Sequence, residues 1–146
     1  MIKKLFVVPA LWLVLTPALL AQSPSASRNT EESKLRFAAT QHEIISIMLQ
    51  EKEYAGALSE FRRILGLGLE QEMPLVQEAW LVVNQLIASR QYSFAHQVID
   101  DTLEIIETPK NRFTLLMLKG KLYKEEGRTR EAVKVYREAQ KLQETK

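Results

Sequence analysis

The chain's two histidines, its carboxylates and its glycines are the residues whose chemistry needs testing first. His42 opens the stretch His42-Glu43-Ile44-Ile45-Ser46, which begins like the His-Glu-x-x-His helix of a zinc site. That site needs two imidazoles one helical turn apart, and Ser46 stands where the second should be. His96 lies beside Ala95 with no carboxylate pair near it in sequence, so it reads as an ordinary helix-face residue. Asp100 and Asp101 are neighbours on a helix, where adjacent side chains diverge, so they make no shared acid–base site. Gly66-Leu67-Gly68-Leu69-Glu70 lacks the third glycine, the preceding strand and the lysine of a phosphate loop, and reads as a helix stop. No serine sits in a Gly-x-Ser-x-Gly turn, and the absence of cysteine removes thiolate nucleophiles, thiolate metal sites and disulfides. The expectation is a protein that is not an enzyme, with no catalytic residue, no metal and no cofactor.

The elements behind these residues are helical. With 5 Gly and 5 Pro among 146 residues, 46% hydrophobic and 26% charged, the composition suits one helix-rich domain with a sizeable core. Leu35, Ala38, Ala39, His42, Ile45, Met48 and Leu49 recur at three- and four-residue steps, the mark of an amphipathic helix. Six helices follow, roughly over 35–51, 54–67, 74–89, 92–107, 110–126 and 129–144. Gly66 and Gly68 end the second, Gly127 ends the fifth, and Pro74 and Pro109 suit first turns. Thr108 and Thr129 are candidate caps for the fifth and sixth. No segment alternates with period two, so no sheet is expected.

Ahead of these helices, residues 1–21 have the layout of a secretory signal peptide: Lys3 and Lys4, an apolar run from Leu5 to Leu20, and Ala21 at the cut. The expectation is an exported protein, periplasmic or secreted. The alternative is a membrane anchor over 5–21, in a run at the lower limit of about 17 residues for spanning a bilayer and interrupted by Pro9 and Pro17. Residues 22–34 are polar and serine-rich and read as a flexible linker. Removing Lys3 and Lys4 with the leader leaves 18 basic against 18 acidic residues, and no clustered cationic footprint for nucleic acid.

Three junctions between helices are alike. Lys52-Glu53-Tyr54, Arg90-Gln91-Tyr92 and Gly127-Arg128-Thr129 each open a helix, and Ala57, Ala95 and Ala132 follow three residues after each start. Phe61, Ile99 and Tyr136 lie four residues beyond those alanines. The alanines are 38 and 37 residues apart, a period that marks stacked helical hairpins. In the last unit Leu116, Gly120, Tyr123, Ala132, Tyr136 and Ala139 stand in the pattern of large, small and aromatic residues of a repeat. This resembles the tetratricopeptide repeat, a helix-pair unit of about 34 residues. The resemblance covers 35–146, in units of about 38–71, 76–109 and 113–146, and implies an all-α superhelix of three helix-turn-helix repeats. Gly120 and Ala132 would let the last helix pair approach closely, with Tyr123 and Tyr136 on either side. In the earlier units Ile45 and Val83 replace the small residue and should hold those pairs further apart.

The resemblance also implies where a partner would bind: a concave groove lined by the first helix of each pair. By position this places His42, Ser46 and Gln50 from the first unit, Trp80 and Asn84 from the second, and Lys121 and Lys124 from the third. Trp80, Asn84 and Lys121 would form an aromatic platform flanked by an amide and a cation. Charge is also segregated, with 4 basic and 11 acidic residues over 43–107 and 11 basic and 5 acidic over 110–146. The expected function is a non-enzymatic adaptor or scaffold that binds another protein, touching a membrane only through an uncleaved leader. The alternative is a self-associating envelope component, a homo-oligomer using its opposed charges and the apolar residues Val133, Val135, Tyr136, Ala139 and Leu142 of an uncovered last helix.

Overall fold

The computed structural model describes residues 24–144, with side chains from residue 30 onward. The leader expected over 1–21 lies outside the described residues. Six helices follow in chain order: α1 (Pro24–Gln50), α2 (Tyr54–Leu65), α3 (Met73–Ala88), α4 (Tyr92–Ile105), α5 (Pro109–Glu125) and α6 (Thr129–Glu144). Among the described residues there is no strand, and none of the helices is long and apolar enough to cross a membrane. α1 pairs with α2, α3 with α4, and α5 with α6. The pairs then stack, α1 on α3 on α5 and α2 on α4, so packing follows sequence order and the architecture is all-α and compatible with a superhelix.

The three turns inside the pairs share one backbone geometry. Lys52, Arg90 and Gly127 have φ of 63°, 56° and 76°, the left-handed region, at positions one repeat period apart. In each, the amide of the next residue reaches back to close the turn: Glu53 to Met48 (2.7 Å), Gln91 to Leu86 (2.8 Å) and Arg128 to Tyr123 (2.8 Å). The left-handed residue's own amide bonds the carbonyl three positions earlier, the second bond of a Schellman motif. The carbonyls of Glu53, Gln91 and Arg128 then accept from Ala57, Ala95 and Ala132 to start the second helix of each pair. The turn, the helix start and the small residue therefore repeat as one block.

The core runs through all three units. Ile45, Phe61, Ile64, Val83, Leu86, Ile99, Ile106, Leu115, Leu118 and Leu122 are fully buried in one continuous cluster. A smaller cluster of Leu116, Val135 and Ala139 joins α5 to α6. α5 and α6 form the most extensive of the helix–helix contacts. A Cβ added at Gly120 would lie 2.6 Å from Cδ1 and 2.7 Å from Cζ of Tyr136, far inside van der Waals contact, so the aromatic ring occupies the space that a side chain would need.

Four expectations change. Residues 24–34 are helical, where a flexible linker was expected over 22–34. The extension carries no apolar stripe and is held instead by polar contacts, with Lys34 Nζ donating to the Gly68 carbonyl (2.7 Å) and Glu31 accepting from the Glu70 amide (2.9 Å). Thr129 is the first residue of α6, and Arg128 is the residue whose carbonyl starts the helix, so Thr129 is not its cap. Thr108 does precede α5, but its side chain makes no capping bond. Finally, Val135 and Ala139 are buried against α5 and Tyr136 lies over Gly120, so of the apolar residues expected to lie open on α6 only Val133 is an exposed large hydrophobe.

Candidate functional site

The odd-numbered helices place one exposed face each on the same side of the stack. α3 lies between its neighbours there, and its residues Met73, Gln77, Trp80, Leu81 and Asn84 recur at three- and four-residue steps. Trp80 and Leu81 are 42% and 48% exposed, with Met73 similarly open. Large apolar side chains left in water along one helix face, beside Leu35 of α1 and Met117 of α5, are the unusual feature of this surface.

Two hollows flank α3. One, of about 290 Å³, lies between α1 and α3 and is lined by Leu35, Ala39, His42, Gln77, Glu78 and Leu81. The other, of about 420 Å³, is lined by Met73, Val76, Gln77, Trp80, Leu81 and Thr114, so it opens between α3 and α5 and is almost wholly apolar.

The structure brings Trp80, Asn84 and Lys121 together. Lys121 Nζ donates to Asn84 Oδ1 at 2.7 Å and stands 5.7 Å from the centre of the Trp80 ring, within reach of a cation–π contact. Asn84 Nδ2 donates to the Trp80 carbonyl one turn back at 2.7 Å, which turns its oxygen toward the ammonium. The indole thus has a cation within reach of its ring and also lines the apolar hollow. Trp80 is an exposed platform and not a core residue.

The other expected groove residues lie apart from this cluster. His42 Nδ1 is 2.9 Å from both carboxylate oxygens of Glu78, a half-buried pair that joins α1 to α3. Ser46 is half-buried, while Gln50 sits at the far end of α1 beside Lys52 and Gln85, in a third hollow. Lys124 is exposed one turn beyond Lys121, away from the indole. Among the described residues no group of three or more histidines and carboxylates is placed to hold a metal ion. Asp100 and Asp101 diverge to Lys119 (2.7 Å) and Arg62 (2.7 Å).

Sequence reasoning missed Glu78, Leu35, Met73, Leu81 and Thr114. The first has no local signal, because its partner is 36 residues away. For the other four, helical spacing from Ala39, Trp80, Asn84 and Lys121 was the available signal. It missed too the groups that hold the units in line. Glu72, just before α3, accepts from Asn111 Nδ2 (2.8 Å), from the Glu107 amide (2.8 Å) and from the Thr108 amide (3.2 Å). Desolvation pushes its carboxyl up, but those hydrogen bonds, from Asn111, Glu107 and Thr108, outweigh it and hold the pKa at about 2, below the ordinary 4.5. Arg112 donates to the carbonyls of Leu103 and Ile106, both at 2.8 Å, and so satisfies the end of α4. These links tie the second helix pair to α5, which borders the hollow between α3 and α5.

Comparison with protein-family models, curated proteins and solved structures finds no match to this chain.

Proposed function

We propose that this chain is a non-enzymatic binding module whose face of odd-numbered helices receives a segment of another protein, most simply an amphipathic helix. The observation that carries it is the exposed apolar band of Leu35, Leu81, Met73 and Trp80, opening on two hollows and ending at the Lys121–Asn84 pair. An apolar surface of this kind is stabilised when a partner covers it, and an aromatic residue at its centre is the usual source of binding energy. The polar pair at its rim would fix orientation, because Lys121 can add a carboxylate or carbonyl of the partner to the bond that it already makes. The tetratricopeptide-like repeat supports the same face, since proteins of that family hold peptides against the first helix of each pair. The leader-like residues 1–21 support action in the periplasm or outside the cell.

Panning a displayed library of helical peptides against the protein, then against Trp80→Ala and Leu81→Ser, tests this. Peptides should be enriched that carry apolar residues at i, i+3 or i+4, and i+7, and both variants should lose them while keeping their helical circular dichroism and melting temperature. Enriched peptides that bind the two variants as tightly as the parent would overturn the reading.

A further inference from the structure

In each of the first two helix pairs two matching side chains of the second helix are covered or bonded, and charged ones among them reach the pair that follows. Counted from the small residue shared by the second helices (Ala57, Ala95, Ala132), these are the first and fifth residues onward, which share one helix face. In α2 they are Leu58, 6% exposed, and Arg62, whose guanidinium donates to Asp101 at 2.7 Å and Gln97 at 3.4 Å on α4. In α4 they are His96 and Asp100. His96 bonds Glu126 and packs on the Tyr123 ring, centroids 4.7 Å apart, and Asp100 accepts from Lys119 of α5 at 2.7 Å. In α6 they are Val133 and Arg137. Val133 is 43% exposed, and Arg137 makes no hydrogen bond or ion pair among the described residues. α6 thus presents the same apolar-plus-arginine pair as α2, whose apolar member is buried and whose arginine bonds α4, and no described helix covers it.

We propose that this face of α6 docks an acidic amphipathic helix of a partner protein. Arg130, Lys134, Arg137 and Lys141 follow one another at steps of four, three and four residues and are all exposed, so they form one cationic stripe beside Val133. Glu131 and Glu138 border the stripe on the edge away from Val133, and Glu131 is already held by Arg128 at 3.0 Å. A helix lying along α6 would set an apolar residue on Val133 and carboxylates opposite the stripe, repeating the Arg62–Asp101 contact between molecules.

Two other occupants fit less well. Residues 1–23 of the chain itself contain no carboxylate and bring two further lysines. A second copy continuing the stack would set its first pair against α6. The residue there that corresponds to Asp101 is Arg63, six positions after Ala57 as Asp101 is after Ala95. Arg63 is already held by Glu60 at 2.8 Å, so Arg137 would meet a cation. This surface shares no residue with the face of the odd-numbered helices and stands or falls independently of it.

The test uses the full chain and two synthetic helical peptides. One carries a leucine flanked by glutamates at i, i+4 and i+7, and the other has glutamine in place of each glutamate. Fluorescence anisotropy should show binding of the glutamate peptide that weakens with salt, with the glutamine peptide at least about tenfold weaker. Arg137→Glu and Val133→Ser should each weaken binding by about tenfold, whereas Trp80→Ala leaves it unchanged. Both α6 positions are exposed, and unchanged thermal melts will show that the variants fold. Equal affinity for the two peptides, no binding at low salt, or indifference to Arg137→Glu overturns the proposal. So does self-association of the peptide-free protein that Arg137→Glu abolishes, which assigns the face to a second copy. Binding to phosphatidylglycerol vesicles in place of the peptide, lost in Arg137→Glu, assigns it to a lipid surface and overturns it equally.

Discussion

The carboxylate of Glu72, at the threshold of α3, lies 2.8 Å from the side-chain amide of Asn111 on α5, across the boundary between two helix pairs. It also takes the amides of Glu107 and Thr108, the two residues that lead into α5. One ionised group therefore ties the start of α3 to the entry of a helix in the next unit.

Its folded-state pKa of about 2 is below the ordinary 4.5, so its contribution is complete above pH 4.5 and disappears as pH falls toward 2. Glu72→Gln should lower stability by about 1–2 kcal/mol at neutral pH, in the lower part of the range for charged hydrogen bonds because water reaches the site. The difference between parent and variant should shrink on acidification. Urea denaturation at pH 7 and at pH 3 checks this, and a difference that is the same at both sinks it.

Gly120→Ala should destabilise, although alanine is the better helix former. The gain in helix propensity is about 1 kcal/mol, and the new methyl would overlap the Tyr136 ring, a strain that exceeds it by about 1–2 kcal/mol. Adding Tyr136→Leu should recover part of the loss, so a double-mutant cycle by chemical denaturation should give a coupling of the rescuing sign.

The repeated left-handed turns give substitutions of opposite sign. Arg90, at φ 56°, holds a conformation that costs a side-chain-bearing residue about 1 kcal/mol, so Arg90→Gly should raise stability by about 0.5–1 kcal/mol. Gly127→Ala, at φ 76°, should lower it by about 1 kcal/mol. Thermal melts of the two variants should move in opposite directions.

Arg112→Met should cost about 1–3 kcal/mol, because it keeps the aliphatic length and strips two carbonyls of α4 of their donor. Hydrogen exchange should quicken first at the end of α4 and the start of α5, with α1 and α2 little changed.

Much of this architecture was legible before any coordinates. The observed starts of α2, α4 and α6 at Tyr54, Tyr92 and Thr129 are the expected ones, because a helix start is decided by a local turn and the first apolar contact after it. The trio of Trp80, Asn84 and Lys121 could be named together because two of them are one turn apart and the third is one repeat period on. The close approach at Gly120 could be expected from a glycine and a tyrosine at repeat spacing.

What the sequence by itself determined, then, was whatever depends on neighbours within a turn or on the repeat period: six helices, three alike turns, and which residues share a face. Tertiary structure decided the rest. Residues 24–34 are helical because Glu31 and Lys34 meet the α2–α3 loop, and no periodicity announces a polar contact with residues 34–39 positions away. Glu72, Glu78 and Arg112 found their roles in the same way, as charges whose partners depend on how far each pair rotates on the last. Val133 lies open, while Leu58 at the same repeat position is buried, because the position of a unit in the stack, and not its residues, settles whether a docking face is covered.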